Sequence, residues 1–328
     1  MAKETKHMAA PKGPDLAWSV MGTLAWFSIH KRPLSVPEIR RRLLRNNATE
    51  DEIRDTLAVL DTKITEHRGF YSITDTKVRY PDTETDRWYR YKWWRVRLAV
   101  SILRLVPYVR LVAIANTVAD RTASRDSDID VFIVVKHGRL YLARTMIAAL
   151  LLATGLKRHG KKVANRVCIT FFVSTEGLDL QSIAFEPYDI YLAYWIHQLV
   201  PVLDDGHTHQ DVLAANSWIN TYLPSAPESS IPTRPPSLTA KLQERLFGTF
   251  VGELLEQRLG KWQKARILRK SKAPELEDGA STEEREHVQI VATDQMLKLH
   301  EKERRLLYRQ EWEELMKKQG YDPAIITV

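Results

Sequence analysis

The chain has 328 residues, 44% hydrophobic and 27% charged, a balance that excludes fibrous, disulfide-rich and wholly disordered classes and leaves room for roughly two or three domains. A net charge of +8 favours an anionic partner, and the single cysteine, Cys168, excludes an intrachain disulfide and a cysteine-based zinc site, as suits a reducing cytoplasm. Met1 to His7 lacks the apolar run of a secretion signal and the longest apolar stretch, Met146 to Leu156, is too short to cross a bilayer, so a cytoplasmic chain with no membrane partner is expected.

Residues 1–13 are polar, with Pro11 and Gly13, and read as a disordered tail. Leu16, Val20, Leu24 and Phe27 then recur at helical spacing. Ser35-Val36-Pro37-Glu38 and Thr49-Glu50-Asp51-Glu52 are capping boxes, each opening a further helix. Ile64 to Thr74 has the pattern of a hairpin turning at Arg68-Gly69. Three helices and a hairpin over 14–75 predict a winged helix-turn-helix-like module. Its third helix presents Glu50, Asp51, Asp55 and Asp61, which repel a phosphate-lined groove, whereas Arg40, Arg41, Arg42 and Arg45 lie on the helix before it. Contact with DNA or with a protein partner both remain open for this module.

A connecting helix follows over 76–106. Trp88, Tyr91, Leu98, Ile102 and Leu105 fall on one stripe, expected to be buried, and Arg87, Arg90, Arg97 and Arg104 fall on another, solvated one. A nucleic-acid-facing helix is the functional alternative. Residues 107–187 then read as strand, polar loop, strand, helix and strand, an α/β unit. Beyond it, 188–328 is expected to be helical: Tyr188 to Val200, Gln210 to Tyr222, Leu238 to Lys270 and Glu283 to Lys318, with a linker at Pro224 to Pro236 and a loop at Pro274 to Ala280.

The chemistry is concentrated in 116–135. Asp128 and Asp130 are separated by Ile129, so on a strand both carboxylates point to one face, where they repel unless a cation lies between them. Hard oxygen ligands suit Mg²⁺ together with substrate phosphates. Capping of a turn is the bland alternative. Weaker candidates are His207-Thr208-His209, the basic loop Lys157 to Lys162, and Asp294, Lys298, Glu301 and Arg305 on one face of the last helix. That face is first a charge ladder. Alternatively it forms a wall of the site, with Lys298 or His300 toward phosphate.

Strand, polar loop and Ser127-Asp128-Ile129-Asp130-Val131 resemble the signature of the DNA polymerase β-type nucleotidyltransferase superfamily, and the whole chain resembles bacterial proteins that carry such a domain. Asn116-Thr117 stands in place of the family's Gly-Ser, Ala119 matches an alanine, and Arg121 stands where glycine is usual. The resemblance covers about 60–80 residues, one small domain. It implies an α/β (α+β) polymerase β-like core and a Mg²⁺-dependent transfer of a nucleoside monophosphate from an NTP to an acceptor hydroxyl. The acceptor stays open among small molecules, proteins and RNA. On this reading Asp128 and Asp130 hold Mg²⁺ and carry the catalysis, Asn116 and Thr117 cradle phosphate oxygens beside Ser127, and Arg121 or Lys136 offsets developing charge. Active members commonly carry a third acid on the next strand, but Arg166 to Val173 contains none; Cys168 or Thr170 takes that place, with Glu176, Asp179 and Glu186 further on. The alternative is a catalytically impaired nucleotide-binding regulatory protein.

Overall fold

The computed structural model describes residues 14–225, 232–248, 250–272, 290–299 and 304–327. The expected tail 1–13, part of the linker after Pro224, the loop Pro274 to Ala280, His300 and Glu301 lie outside them. The fold is mixed α/β. Helix α1 (Leu16–Ile29) starts where Asp15 accepts a hydrogen bond from the Trp18 N–H, and it is buried over nearly its whole circumference. It therefore lies at the centre of a core. β1 (Leu34–Ser35), α2 (Val36–Arg41), α3 (Glu50–Val59) and the hairpin of β2 (Ile64–His67) and β3 (Phe70–Ile73) follow, with the strands in the antiparallel order β1-β3-β2. Both capping boxes form, and Arg68 and Gly69 take left-handed conformations at φ 52° and 78°, as a tight hairpin turn requires.

Helix α4 (Thr83–Leu103) leads into the main sheet. β4 (Val109–Ile114), the short helix α5 (Asn116–Ala119), β5 (Ile129–Val135), α6 (Leu140–Ala153) and β6 (Val167–Ser174) form its centre. α7 (Ile190–His197), β7 (Val200–Asp204), α8 (Thr208–Ala215), α9 (Leu238–Phe247) and α10 (Phe250–Lys272) come next, then β8 (Val291–Ala292), β9 (Met296–Lys298) and α11 (Arg305–Lys318). The sheet order is β7-β4-β5-β6-β9-β8, antiparallel except for the β5–β6 pair, whose parallel register needs the crossover that α6 supplies. Alternate residues of the strands feed two cores. Phe132, Val134, Phe171 and Val173 join α1, α7 and α11 on the front face; Val131, Ile133, Val135 and Phe172 join α4 and α6 on the back. The N-terminal module thus shares one core with the front of the sheet.

Four sequence expectations are corrected. On α4 the buried stripe is Trp93, Val96, Val100 and Leu103 together with Lys92, while Tyr91 (39% exposed), Leu98 (41%) and Leu105 face solvent. Lys92 goes inside because the Ser127 carbonyl and the Asn165 side chain accept its ammonium at 2.5 and 2.8 Å. The helix expected over 188–200 ends at His197, and Val200–Asp204 is an edge strand in which Pro201 is tolerated. The helix expected over 238–270 is interrupted at Gly248. The helix expected over 283–318 contains instead the β8–β9 hairpin, turned by the Thr293 hydroxyl, which accepts from the Gln295 and Met296 N–H groups. β9 pairs with β6 and covers an edge that would otherwise be open.

Arg32 joins the N-terminal module to the sheet. Its guanidinium bridges Glu38 and Asp120, each at 2.8 Å, and is nearly buried. Burial acts to raise the Glu38 carboxyl, but Arg32, the Ser35 N–H and Arg42 together hold it below the usual value of 4.5. A depressed carboxyl contributes stability that is present above the unfolded value and lost as pH falls through the folded one. Glu38→Gln is therefore expected to lower stability at neutral pH and to flatten the loss of stability below pH 4.5, read from urea midpoints across that range.

Candidate active site

β4 delivers the chain to a turn in which Asn116 is left-handed at φ 53°, a conformation that asparagine tolerates better than most residues. Its Nδ2 donates to Asp130 Oδ2 at 2.8 Å, and the Ala115 N–H donates to the Asp130 carbonyl at 3.0 Å. Part of the expected polar loop is thus the helical turn α5, tied directly to the aspartate. Asp128 precedes β5 and Asp130 is its second residue; both are half-buried.

In the parallel register Cys168 lies opposite Asp130, followed by an irregularity before Phe132 and Phe171 pair. One ligand atom each from Asp128, Asp130 and Cys168 lies within 4.8 Å of the others, the cluster of this kind found among the described residues. Two carboxylates at that spacing fit one Mg²⁺, completed by water and phosphate oxygens. The thiol does not extend the set: burial, and then Asp130, push Cys168 up to about 12, so it is protonated at neutral pH and ill suited to a hard cation. The later acids are elsewhere. Glu176 pairs with His137 at 3.1 Å, Asp179 accepts from the Gln181 N–H, and Glu186 is exposed in a turn whose carbonyl accepts from Arg309.

A cation that sequence reasoning placed only in a basic loop stands at the pair. Arg158 Nη1 donates to Asp128 Oδ2 at 2.6 Å and reaches Cys168 Sγ at 3.5 Å. Its position depends on the chain after α6 running back alongside β6, where the Arg158 N–H donates to the Val167 carbonyl. Because the guanidinium would compete with a Mg²⁺ held at the pair for one carboxylate, Arg158→Ala is expected to tighten Mg²⁺ binding there about three- to ten-fold, allowing for the half-exposed side chain. Calorimetric titration reads this directly, and unchanged affinity would show that Arg158 leaves Asp128 at no cost.

The remaining candidates separate into two groups. Thr117, Arg121 and Ser127 line a cleft of about 960 Å³ between the loop and the N-terminal module, together with Arg32, Glu38 and Asp120. Arg121 is left-handed at φ 57°, a conformation suited to glycine, and its guanidinium lies over the Tyr89 ring. Ser127 closes the loop: its hydroxyl accepts from the Ser124 N–H and its carbonyl from Lys92. Asn116 instead lines a smaller pocket of about 160 Å³ with Lys298, Arg304, Tyr191, Trp195 and Tyr308. Lys136 is not brought to the site. It follows the far end of β5, six residues from Asp130 and therefore about 20 Å along the strand.

Lys298 reaches the pocket from β9, opposite Phe171, rather than from a helix. Gly177 permits this arrangement, since a Cβ there would meet the Gln295 carbonyl of the same hairpin at 2.8 Å. Asp294 is outside the pocket, paired with Lys264, whereas Arg305 lines it beside Lys298 with its guanidinium held by Asp189. At 204–209 the Asp204 carboxylate caps α8 through the Thr208 and His209 N–H groups. On α3, Arg54 is bonded to Glu50 and Asp51, each at 3.1 Å, so its charge is already balanced within the helix. No described helix is long and apolar enough to cross a membrane. Comparison of this chain with protein-family models, with curated proteins and with solved structures gives no match.

Proposed function

We propose that the protein is a Mg²⁺-dependent nucleotidyltransferase of the polymerase β type, moving a nucleoside monophosphate from an NTP to an acceptor hydroxyl with release of pyrophosphate. The observation that carries this reading is the Asp128–Asp130 pair at the start of a central strand, one hydrogen bond from the turn that follows the neighbouring antiparallel strand. The left-handed conformations of Asn116 and Arg121, where the family uses glycine or its neighbours, support it further.

Asp128 and Asp130 would hold the ion. Bound Mg²⁺ supplies charge neutralisation to the triphosphate oxygens. Asn116 orients the Asp130 carboxylate through its amide, and Lys298 and Arg304 place positive charge on the wall of the adjoining pocket. The Tyr191 and Tyr308 rings, stacked at 5.8 Å, form an apolar flank on which a base can lie. Arg158, bonded to Asp128, would offset negative charge developing beside the pair. Transfer then depends on positioning and charge, with little covalent work for the protein. The test is pyrophosphate release from labelled NTPs with candidate acceptors. The reading fails if nucleotide binding is independent of Mg²⁺, or unchanged when Asp128 and Asp130 are replaced by alanine.

A second reading is favoured by one observation: a protonated thiol, Cys168, stands opposite Asp130 where a third acid would help turnover. In it the site binds nucleotide without transfer and the winged-helix-like module contacts a partner. The acidic surface of α3, with Arg54 already paired, favours a protein partner over duplex DNA. Mg²⁺-dependent binding without pyrophosphate release selects this reading.

A further inference from the structure

Among the described residues, eleven of the fourteen most exposed large apolar side chains lie on α4, α6, α9 and α10, the helices behind the sheet. On α4 the exposed stripe contains Tyr91, Trp94 and Leu98, with Arg90 and Arg97 along its side. Trp94 is 54% exposed, and Trp262 on α10 is 57% exposed with Arg266 over its ring at 5.5 Å. Apart from Glu84 and Asp86 in the first turn of α4, and Glu244 of α9, which pairs with Arg110, the charge is predominantly positive. No acidic residue occurs from Arg87 to Ala119 or from Gln257 to Lys272. The acids earlier on α10 are engaged: Glu253 pairs with Arg139, and Glu256 is buried against the Tyr141 and Leu142 N–H groups. α6 packs between α4 and α10, so all three helices belong to one layer.

We propose that this helical layer is a docking surface for an anionic lipid bilayer, on which the protein lies without spanning it. The chemistry distinguishes this partner from nucleic acid. Single-stranded nucleic acid is held by aromatic faces, but most of the exposed apolar groups on this layer, Leu98, Leu152, Leu242 and Leu255 among them, are aliphatic and offer no π face. A bilayer interface accommodates all of these groups. Leucine enters the acyl boundary, tryptophan and tyrosine lie at the headgroups, and arginine buries its stem while its head meets lipid phosphate. Juxtaposed arginines and lysines are attracted by the surface potential of anionic lipid.

The test uses the full chain and sedimentation with vesicles of phosphatidylglycerol and phosphatidylcholine, or of phosphatidylcholine alone. Binding is expected to be at least about ten-fold stronger to the anionic vesicles and to weaken with salt. The double variant Trp94→Glu/Leu98→Glu should lose about ten-fold or more of it, with its circular dichroism spectrum and its Mg²⁺-nucleotide binding unchanged, because both side chains face solvent. Failure to sediment with anionic vesicles, or equal sedimentation of the double variant, overturns the proposal. So does Trp94-dependent binding of a single-stranded RNA oligonucleotide without vesicle binding. None of these outcomes depends on whether the Asp128–Asp130 site turns over.

Discussion

Asp130→Asn is expected to abolish the proposed nucleotidyl transfer while leaving the fold intact, with pyrophosphate release falling by at least about 10³-fold. The substitution keeps the shape of the side chain and an oxygen to accept the 2.8 Å hydrogen bond from Asn116 Nδ2, so the turn after β4 retains its anchor. It removes one of the two formal charges that fit the pair for Mg²⁺. Asp128→Asn should be comparably damaging to metal binding and should also free Arg158, whose 2.6 Å contact is to that carboxylate. Mg²⁺-dependent nucleotide affinity and pyrophosphate release measured on the same preparations separate the two losses. Wild-type release in Asp130→Asn would remove the pair from the chemistry.

Arg305→Met is expected to be the most destabilising single substitution considered, at about 3–5 kcal/mol, because it leaves a buried carboxylate without its cation. Arg305 Nη1 donates to Asp189 Oδ2 at 2.6 Å and to the Ile183 carbonyl at 3.0 Å, and both ionic side chains are almost completely buried. Asp189 meanwhile caps α7 through the Leu192 N–H and accepts from the Phe185 N–H. The pair therefore ties the start of α11 to α7, the two helices that contribute Tyr308 and Tyr191 to the pocket beside Asn116. Adding Asp189→Asn should recover part of the loss, since the amide oxygen still caps α7 and no charge is left unpaired. Urea midpoints of the single and double variants read the difference. A single variant as stable as wild type would mean that water enters and solvates Asp189.

Elements whose signals are local were legible in the sequence. The capping boxes at Ser35 and Thr49 are hydrogen bonds between residues three apart, and both form as read. The Arg68-Gly69 turn, the two aspartates at the start of a strand and the absence of an acid from β6 are equally local. What failed were choices between faces and between partners. α4 carries apolar residues on two sides, and the buried one is the side that packs Trp93, Val96, Val100 and Leu103 into the back core and gives Lys92 the Ser127 carbonyl and Asn165 as acceptors. The charged stretch after 283 resembles a helix by composition, yet its Met296–Lys298 segment is a strand because β6 offers it an edge.

By itself, then, the sequence determined that the Asp128 and Asp130 carboxylates lie close together, that the chain is mixed α/β, and that the next strand supplies no third carboxylate. Each follows from alternation along one strand or from residue type alone. Tertiary structure decided what surrounds the pair. Cys168 opposes Asp130 through the parallel register, Arg158 reaches Asp128 across thirty residues, and Lys298 arrives from a strand added at the sheet edge. Such contacts join residues far apart in the chain and leave no periodic trace in it, so they are specified only when both cores close around the sheet.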